Sequence, residues 1–212
     1  MSVTLSGCSV RTELESPPTE KRSEGSGEET ALTDIRSTLN QLESEGLHGV
    51  VRLKNGDNIV IYEGFGLRDR ENSDPMQTAT GFDIGSLTKA MTAATVLRLE
   101  EQGMLSLSDS VSRFFPDAPS PLGNVTIQQL LEHRSGLPEY LGDDNELLTK
   151  EQALERLFTA DLRFLPGSEE AYSYAGYSLL AIIVETASSQ PFEQTMRETI
   201  FLPVDLSQIG YT

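Results

Sequence analysis

The stretch "GVVRLKNGDNIVIYEGFG", Gly49 to Gly66, constrains this chain more than any other. Two runs rich in β-branched and aromatic residues, Val50 to Leu53 and Ile59 to Tyr62, flank an Asn55-Gly56 dipeptide, the signal of a tight hairpin turn. An isolated hairpin is marginal in water, so such a pair normally belongs to a larger sheet. No later segment of the 212 residues reads as a good strand. The balance is two strands followed by many helices, and the chain looks short of its sheet.

Helical periodicity accounts for most of the rest. In "TALTDIRSTLNQLESEG", Leu32, Ile35, Leu39 and Leu42 share one face and Gly46 ends the run. "MLSLSDSVSRFFPDAP" reads as a short helix closed by prolines. A helix starting at Thr126 turns Ile127, Leu130 and Leu131 inward and stops at Ser135-Gly136. Thr149 to Thr159 is amphipathic through Ala153, Leu154, Leu157 and Phe158. An apolar helix follows from about Tyr177 to Ala187, and its partner "FEQTMRETIFLPVDL" ends near Pro203. Ser9 to Glu29 is rich in Ser, Glu, Pro and Gly, the composition of a disordered tether. The expected organisation is a tether over 1–29 and a domain over 30–212.

One segment carries chemistry. In "DIGSLTKAMTAATVLRLEEQG", Asp83 to Gly103, a serine and a lysine stand three residues apart at the start of an almost wholly apolar helix, expected to be buried and central. Ser86 and Lys89 lie on one face of its first turn. A helix N-terminus and apolar surroundings both disfavour an ammonium, so an amine there can take the proton of a serine hydroxyl. Two bland readings compete: Ser86 as an N-cap and Lys89 reaching out to water. A second segment, "FLPGSEEAYSYAGYSLLAIIVE", places Tyr172, Tyr174 and Tyr177 before an apolar helix. A phenol can carry a proton when a nearby cation stabilises phenolate. Tyr177 is read as a core-edge tyrosine with its hydroxyl in water.

Taken together, "FDIGSLTKAMTA", "VTIQQLLEHRSGLPEY" and "FLPGSEEAYSYAGYSLLAIIVE" resemble, in order and spacing, the serine β-lactamase-like superfamily. The similarity runs from about Leu32 to Thr212 and is nearest to class C β-lactamases and their D-Ala-D-Ala carboxypeptidase and esterase relatives. The resemblance implies an α+β fold, a helical region packed on an antiparallel sheet built from both chain ends. It implies a serine hydrolase working through an acyl-enzyme on an ester, a β-lactam or a D-amino-acid peptide. Ser86 matches the nucleophile, Lys89 its paired base and Tyr172 the first residue of the Tyr-x-Asn motif, the proton shuttle. Tyr174 occupies the asparagine position that helps bind a substrate amide, which favours simple esters. His133 falls in the "LL-x-H-x-S-G-L" stretch, where it is structural. The Ser86 amide matches one oxyanion donor. The Lys/His-x-Gly motif and the C-terminal strands around it are missing from these residues, and a lost oxyanion donor costs about 10²–10³ in rate. The expectation is a chain impaired in catalysis as it stands. A non-catalytic module binding cell-wall peptides or a protein, and a gene fragment, are the alternatives.

"LSGC", Leu5 to Cys8, resembles the lipobox of bacterial lipoproteins, whose cysteine is lipidated. Only Met1 to Thr4 precede it, so either the start is placed late or the match is chance. A lipid on Cys8 is the one membrane attachment foreseen, with the cell envelope or periplasm as location. No run reaches the roughly 18 apolar residues of a membrane helix. With 16 Lys+Arg against 33 Asp+Glu, the net charge of −17 excludes nucleic acid as an expected partner. Two distant histidines and one cysteine leave nothing to hold a metal, and no cofactor is implied.

Overall fold

The computed structural model describes residues 2–3, 8–10, 26–143 and 146–211, with side chains over 29–143 and 146–210. Most of the expected tether, including 11–25, lies outside the described residues, as does the side chain of Cys8. The chain forms two compact units, Arg11–Phe82 and a larger one made of Met1–Val10 with Asp83–Thr212.

In the smaller unit, helix α1 spans Ser26–Ser44, starting somewhat before the expected Thr30. It packs on an antiparallel hairpin of Gly49–Asn55 and Asn58–Phe65. Asn55 pairs with Asn58, so the turn is made by Gly56 and Asp57, one residue later than the dipeptide indicated. Gly56 takes φ +59, the backbone that favours glycine at a hairpin's first turn position. The small core is Leu39, Ile61 and Phe65, with Leu32, Leu47, Val51 and Leu53 against it. The apolar stripe of α1 is narrower than its periodicity implied, for Ile35 and Leu42 are exposed.

The larger unit is helical. Its helices are α2 (Leu87–Glu101), α3 (Val111–Phe114), α4 (Ile127–Leu131), α5 (Lys150–Thr159), α6 (Tyr174–Ser188) and α7 (Phe192–Met196). A late strand absent from the sequence reading, Ile209–Tyr211, pairs antiparallel with Cys8–Val10. The central helix is α6 rather than α2. Leu179, Leu180, Ala181, Ile182, Ile183 and Val184 are all buried in sequence, so every side of α6 meets protein. Helix α2 instead buries one face, Thr92, Thr95, Val96 and Leu99, and leaves Leu87 66% and Leu97 45% exposed. Its Thr92 and Thr95 hydroxyls donate to the carbonyls of Thr88 and Met91, which is how two polar side chains sit on the packed face.

Caps fix where the helices begin. Thr126 and Gln129, and again Thr149 and Gln152, form reciprocal capping boxes at the starts of α4 and α5. Glu185 on α6 accepts from Lys150 Nζ at 3.0 Å and from the Phe192 amide at 3.1 Å, tying α5 and α7 to the central helix. The α4 box is testable. Thr126→Ala should cost about 1 kcal/mol in urea unfolding, and an unchanged midpoint would mean that tertiary packing alone sets the start of α4.

Candidate active site

Ser86 stands at the mouth of α2 on a turn its neighbours build. Gly85 takes φ +51, a backbone a side chain would strain, and its amide donates to Asp83 Oδ1 at 2.7 Å. Ser86 itself is the N-cap residue, yet its side chain makes no cap hydrogen bond. Its Oγ faces the site. Tyr172 donates to it from OH at 3.0 Å, Lys89 Nζ lies at 3.5 Å, and the Tyr174 OH at 3.4 Å. Ser86, Lys89 and Tyr172, from segments more than 80 residues apart in one case, therefore converge within the larger unit.

Lys89 is half-buried rather than extended into water. Its Nζ lies 3.6 Å from the ring centroid of Tyr174, 4.9 Å from that of Tyr172 and 5.8 Å from that of Tyr177. Aromatic faces attract a cation, which holds the amine beside Ser86. The effect on Tyr172 is visible in its phenol. Partial burial raises its pKa, but hydrogen bonding to Lys89 and Ser86, the Lys89 charge and the Tyr174 hydroxyl together outweigh burial and bring it below the ordinary value. Tyr177 moves the other way, raised first by burial and then by Tyr172. Its hydroxyl is not in water: it donates to the Leu131 carbonyl at 3.1 Å.

The tyrosine segment is pinned along its backbone to the loop after α4. The amide of Ala171 donates to the His133 carbonyl, that of Ser173 to His133 Nδ1, and those of Tyr174 and Ala175 to the Glu139 carbonyl. Ser173 Oγ donates to the Pro138 carbonyl at 2.7 Å and accepts from the Gly176 amide at 2.9 Å, capping α6. The loop needs Gly136, whose φ is +79 and where any Cβ would overlap the Phe164 carbonyl. This explains why "HRSGLPEY" and "AYSYAGY" belong together: one is the cradle of the other.

A cavity of about 380 Å³ opens beside these groups. Ser86, Lys89 and Tyr174 form its polar side, and Leu148, Ala181 and Phe192 line its apolar side. Tyr140 also lines it and stacks on Tyr174, with centroids 4.9 Å apart and planes at 19°. Sequence reasoning passed over Tyr140; the one hint was its place in "GLPEY", inside the motif that carried the family resemblance. Among the described residues, no group of three or more His, Cys, Asp or Glu side chains is placed to hold a metal. Nor is any described helix long and apolar enough to cross a membrane.

A family model described as Beta-lactamase matches residues 37–212. Penicillin-binding protein 4* of Bacillus subtilis (strain 168) is 33% identical over 174 residues, covering 78% of this chain and 38% of that protein. The chain thus spans less than half the length of this curated relative. The crystal structure of a penicillin binding protein from Bacillus halodurans superposes with a TM-score of 0.68 at 28% identity, over 85% of this chain and 57% of the other. A D-amino acid amidase from Ochrobactrum anthropi SV3, complexed with D-phenylalanine, gives 0.65 at 26% identity, over 82% and 51%.

Proposed function

The chain belongs to the β-lactamase family, and from that premise we propose that it is a serine hydrolase acting through an acyl-enzyme formed on Ser86. The observation that carries the reading is the Ser86 Oγ, uncapped and within 3.0 Å of the Tyr172 hydroxyl and 3.5 Å of Lys89 Nζ. A hydroxyl so placed has both a proton acceptor and a proton carrier at hand. Ser86 Oγ attacks the substrate carbonyl carbon, and its proton passes to the Lys89–Tyr172 pair in its singly deprotonated form, the Tyr172 phenolate stabilised by the Lys89 ammonium or the free Lys89 amine beside the phenol. The bond to the leaving group breaks as that pair returns a proton to the departing oxygen or nitrogen. Water then attacks the ester on Ser86 by the same relay and releases the acid, leaving the hydroxyl as it began.

The substrate is an ester, a β-lactam or a D-amino-acid peptide. Tyr174 supports the ester: a phenol stands where the resemblance expects an amide-binding asparagine, and the cavity wall beside it is apolar. The similar protein named as a D-amino acid amidase supports the amide. The relatives named as penicillin-binding proteins and the lipobox-like Cys8 support a place at the cell envelope. One observation favours a binding role without turnover: the Tyr174 ring covers Lys89 and its hydroxyl sits 3.4 Å from the nucleophile.

The test is covalent capture. The protein is incubated with a fluorophosphonate and, separately, with a fluorescent penicillin, and its intact mass is read before digestion. The expected result is one adduct on the peptide containing Ser86. No adduct with either reagent, or an adduct on another residue, refutes the hydrolase and leaves the binding role.

A further inference from the structure

We propose that His133 is a positioning residue for Tyr172, gripping the tyrosine's backbone on both sides and its ring from one face, and that it does so only as the neutral imidazole. Two hydrogen bonds make the grip. The amide before Tyr172, that of Ala171, donates to the His133 carbonyl at 2.9 Å, and the amide after it, that of Ser173, donates to His133 Nδ1 at 3.2 Å. Between them the imidazole lies against the Tyr172 ring, with centroids 4.5 Å apart and planes at 35°. The imidazole also lies against Tyr177, with ring centroids 5.1 Å apart. Tyr172 therefore has its main chain and its ring set by the same residue, which itself makes no contact with Ser86 in the hydrogen-bond network.

The Ser173 bond assigns the ring's state. An Nδ1 that accepts an N–H carries no proton, so the neutral ring holds its proton on Nε2. Protonating Nδ1 would set two N–H groups against each other and open the grip on the Ser173 side. The groups facing the imidazole are Lys89 from α2, Tyr177 from α6, and Glu170 and Tyr172 from the segment it holds. Burial first, and then the Lys89 charge, hold His133 below its ordinary value, while Glu170 opposes them. The sign for stability follows: a base whose folded pKa is depressed costs nothing above the unfolded value of about 6.5, and acidification through and below that value destabilises the fold.

Backbone geometry supplies the conservative variant. His133 adopts φ +57, a region in which asparagine is among the few tolerated side chains. Asparagine Oδ1 can also accept the Ser173 amide, and it does not titrate. The experiment measures the rate of fluorophosphonate labelling of Ser86 for the wild type, His133→Ala and His133→Asn from about pH 4 to 8, reaching well below the ordinary imidazole range because burial and the Lys89 charge hold His133 down. His133→Ala, with neither acceptor nor ring, is expected to be roughly 10- to 100-fold slower, the scale of a misplaced reacting group. His133→Asn should recover most of that loss. The wild-type to His133→Asn rate ratio should fall on acidification, because proton transfers through Lys89 and Tyr172 are common to both and cancel. A ratio flat with pH, or an asparagine variant as slow as the alanine one, overturns the proposal.

Only the kinetic half rests on the acyl-enzyme reading. The Ser173 amide resonance is expected to titrate with His133 in the wild type and to stay fixed in His133→Asn. If the resonance titrates so but Ser86 is never acylated, the grip stands and the hydrolase falls. A Ser173 amide indifferent to pH refutes the grip whatever the kinetics show.

Discussion

Replacing Lys89 by methionine should slow acylation of Ser86 by about 10²–10⁴-fold, the span of general acid–base catalysis, while the protein remains folded. Methionine is nearly as long as lysine, unbranched and comfortable against aromatic rings. It can fill the space bounded by Tyr172, Tyr174 and Tyr177, whose centroids lie 3.6 to 5.8 Å from Nζ. What is lost is the charge and the proton-carrying nitrogen 3.5 Å from Ser86 Oγ. A second signature separates this from a packing defect. Lys89 is the main influence lowering the Tyr172 phenol against its burial, so in Lys89→Met the ionisation of that tyrosine should move to higher pH. Second-order labelling rates with a fluorophosphonate, paired with the ultraviolet titration of tyrosinate, read both. A rate within tenfold of the wild type, with the tyrosine titration unmoved, would remove Lys89 from the proton path.

Tyr172→Phe is the other large effect, an expected loss of about 10²-fold or more. The substitution deletes a single oxygen, the one that donates to Ser86 at 3.0 Å, and keeps the ring against His133. Tyr174→Phe is its control. The Tyr174 hydroxyl is also near Ser86, at 3.4 Å, but that residue occupies the position the resemblance gives to substrate binding. Its loss should therefore raise KM for an ester more than it lowers kcat. The alkaline limb discriminates as well. Because the phenol of Tyr172 ionises below the ordinary tyrosine value, the wild-type rate should climb before a free tyrosine would ionise, and Tyr172→Phe should lose that climb. Equal losses in the two variants would mean that the relay does not distinguish the two hydroxyls.

Much of the site was legible because its chemistry is local in sequence. Ser86 and Lys89 share a helical turn, and the helix starts at Thr126 and Thr149 are read from the sequence where the structure places their caps. The hairpin was legible from its β-branched runs, though Asn55-Gly56 misplaced the turn by one residue because pairing across the strands decides the register. The rest depends on contacts that periodicity cannot express. Helix α2 is rich in alanine and leucine on all sides, and composition gave no sign that Leu87 and Leu97 would face outward while Thr92 and Thr95 packed inward. The roles of His133 and Tyr140 arise when residues 131–140 close over 171–177, about 40 positions away, and no spacing rule within either segment foretells it.

The tyrosines around Lys89 give this protein an optical property. The chain has six tyrosines and no tryptophan, so its intrinsic fluorescence is tyrosine emission with no indole to mask it or drain it by energy transfer. Four of the six, Tyr140, Tyr172, Tyr174 and Tyr177, either line the cavity or touch Ser86. A molecule entering beside Ser86 displaces water from those rings, and an acyl group on Oγ, turning a hydroxyl into a poorer ester acceptor, weakens the hydrogen bond that Tyr172 donates. Occupancy of the site is thereby written into the emission of the unlabelled protein, and binding can be timed apart from acylation on a single native sample.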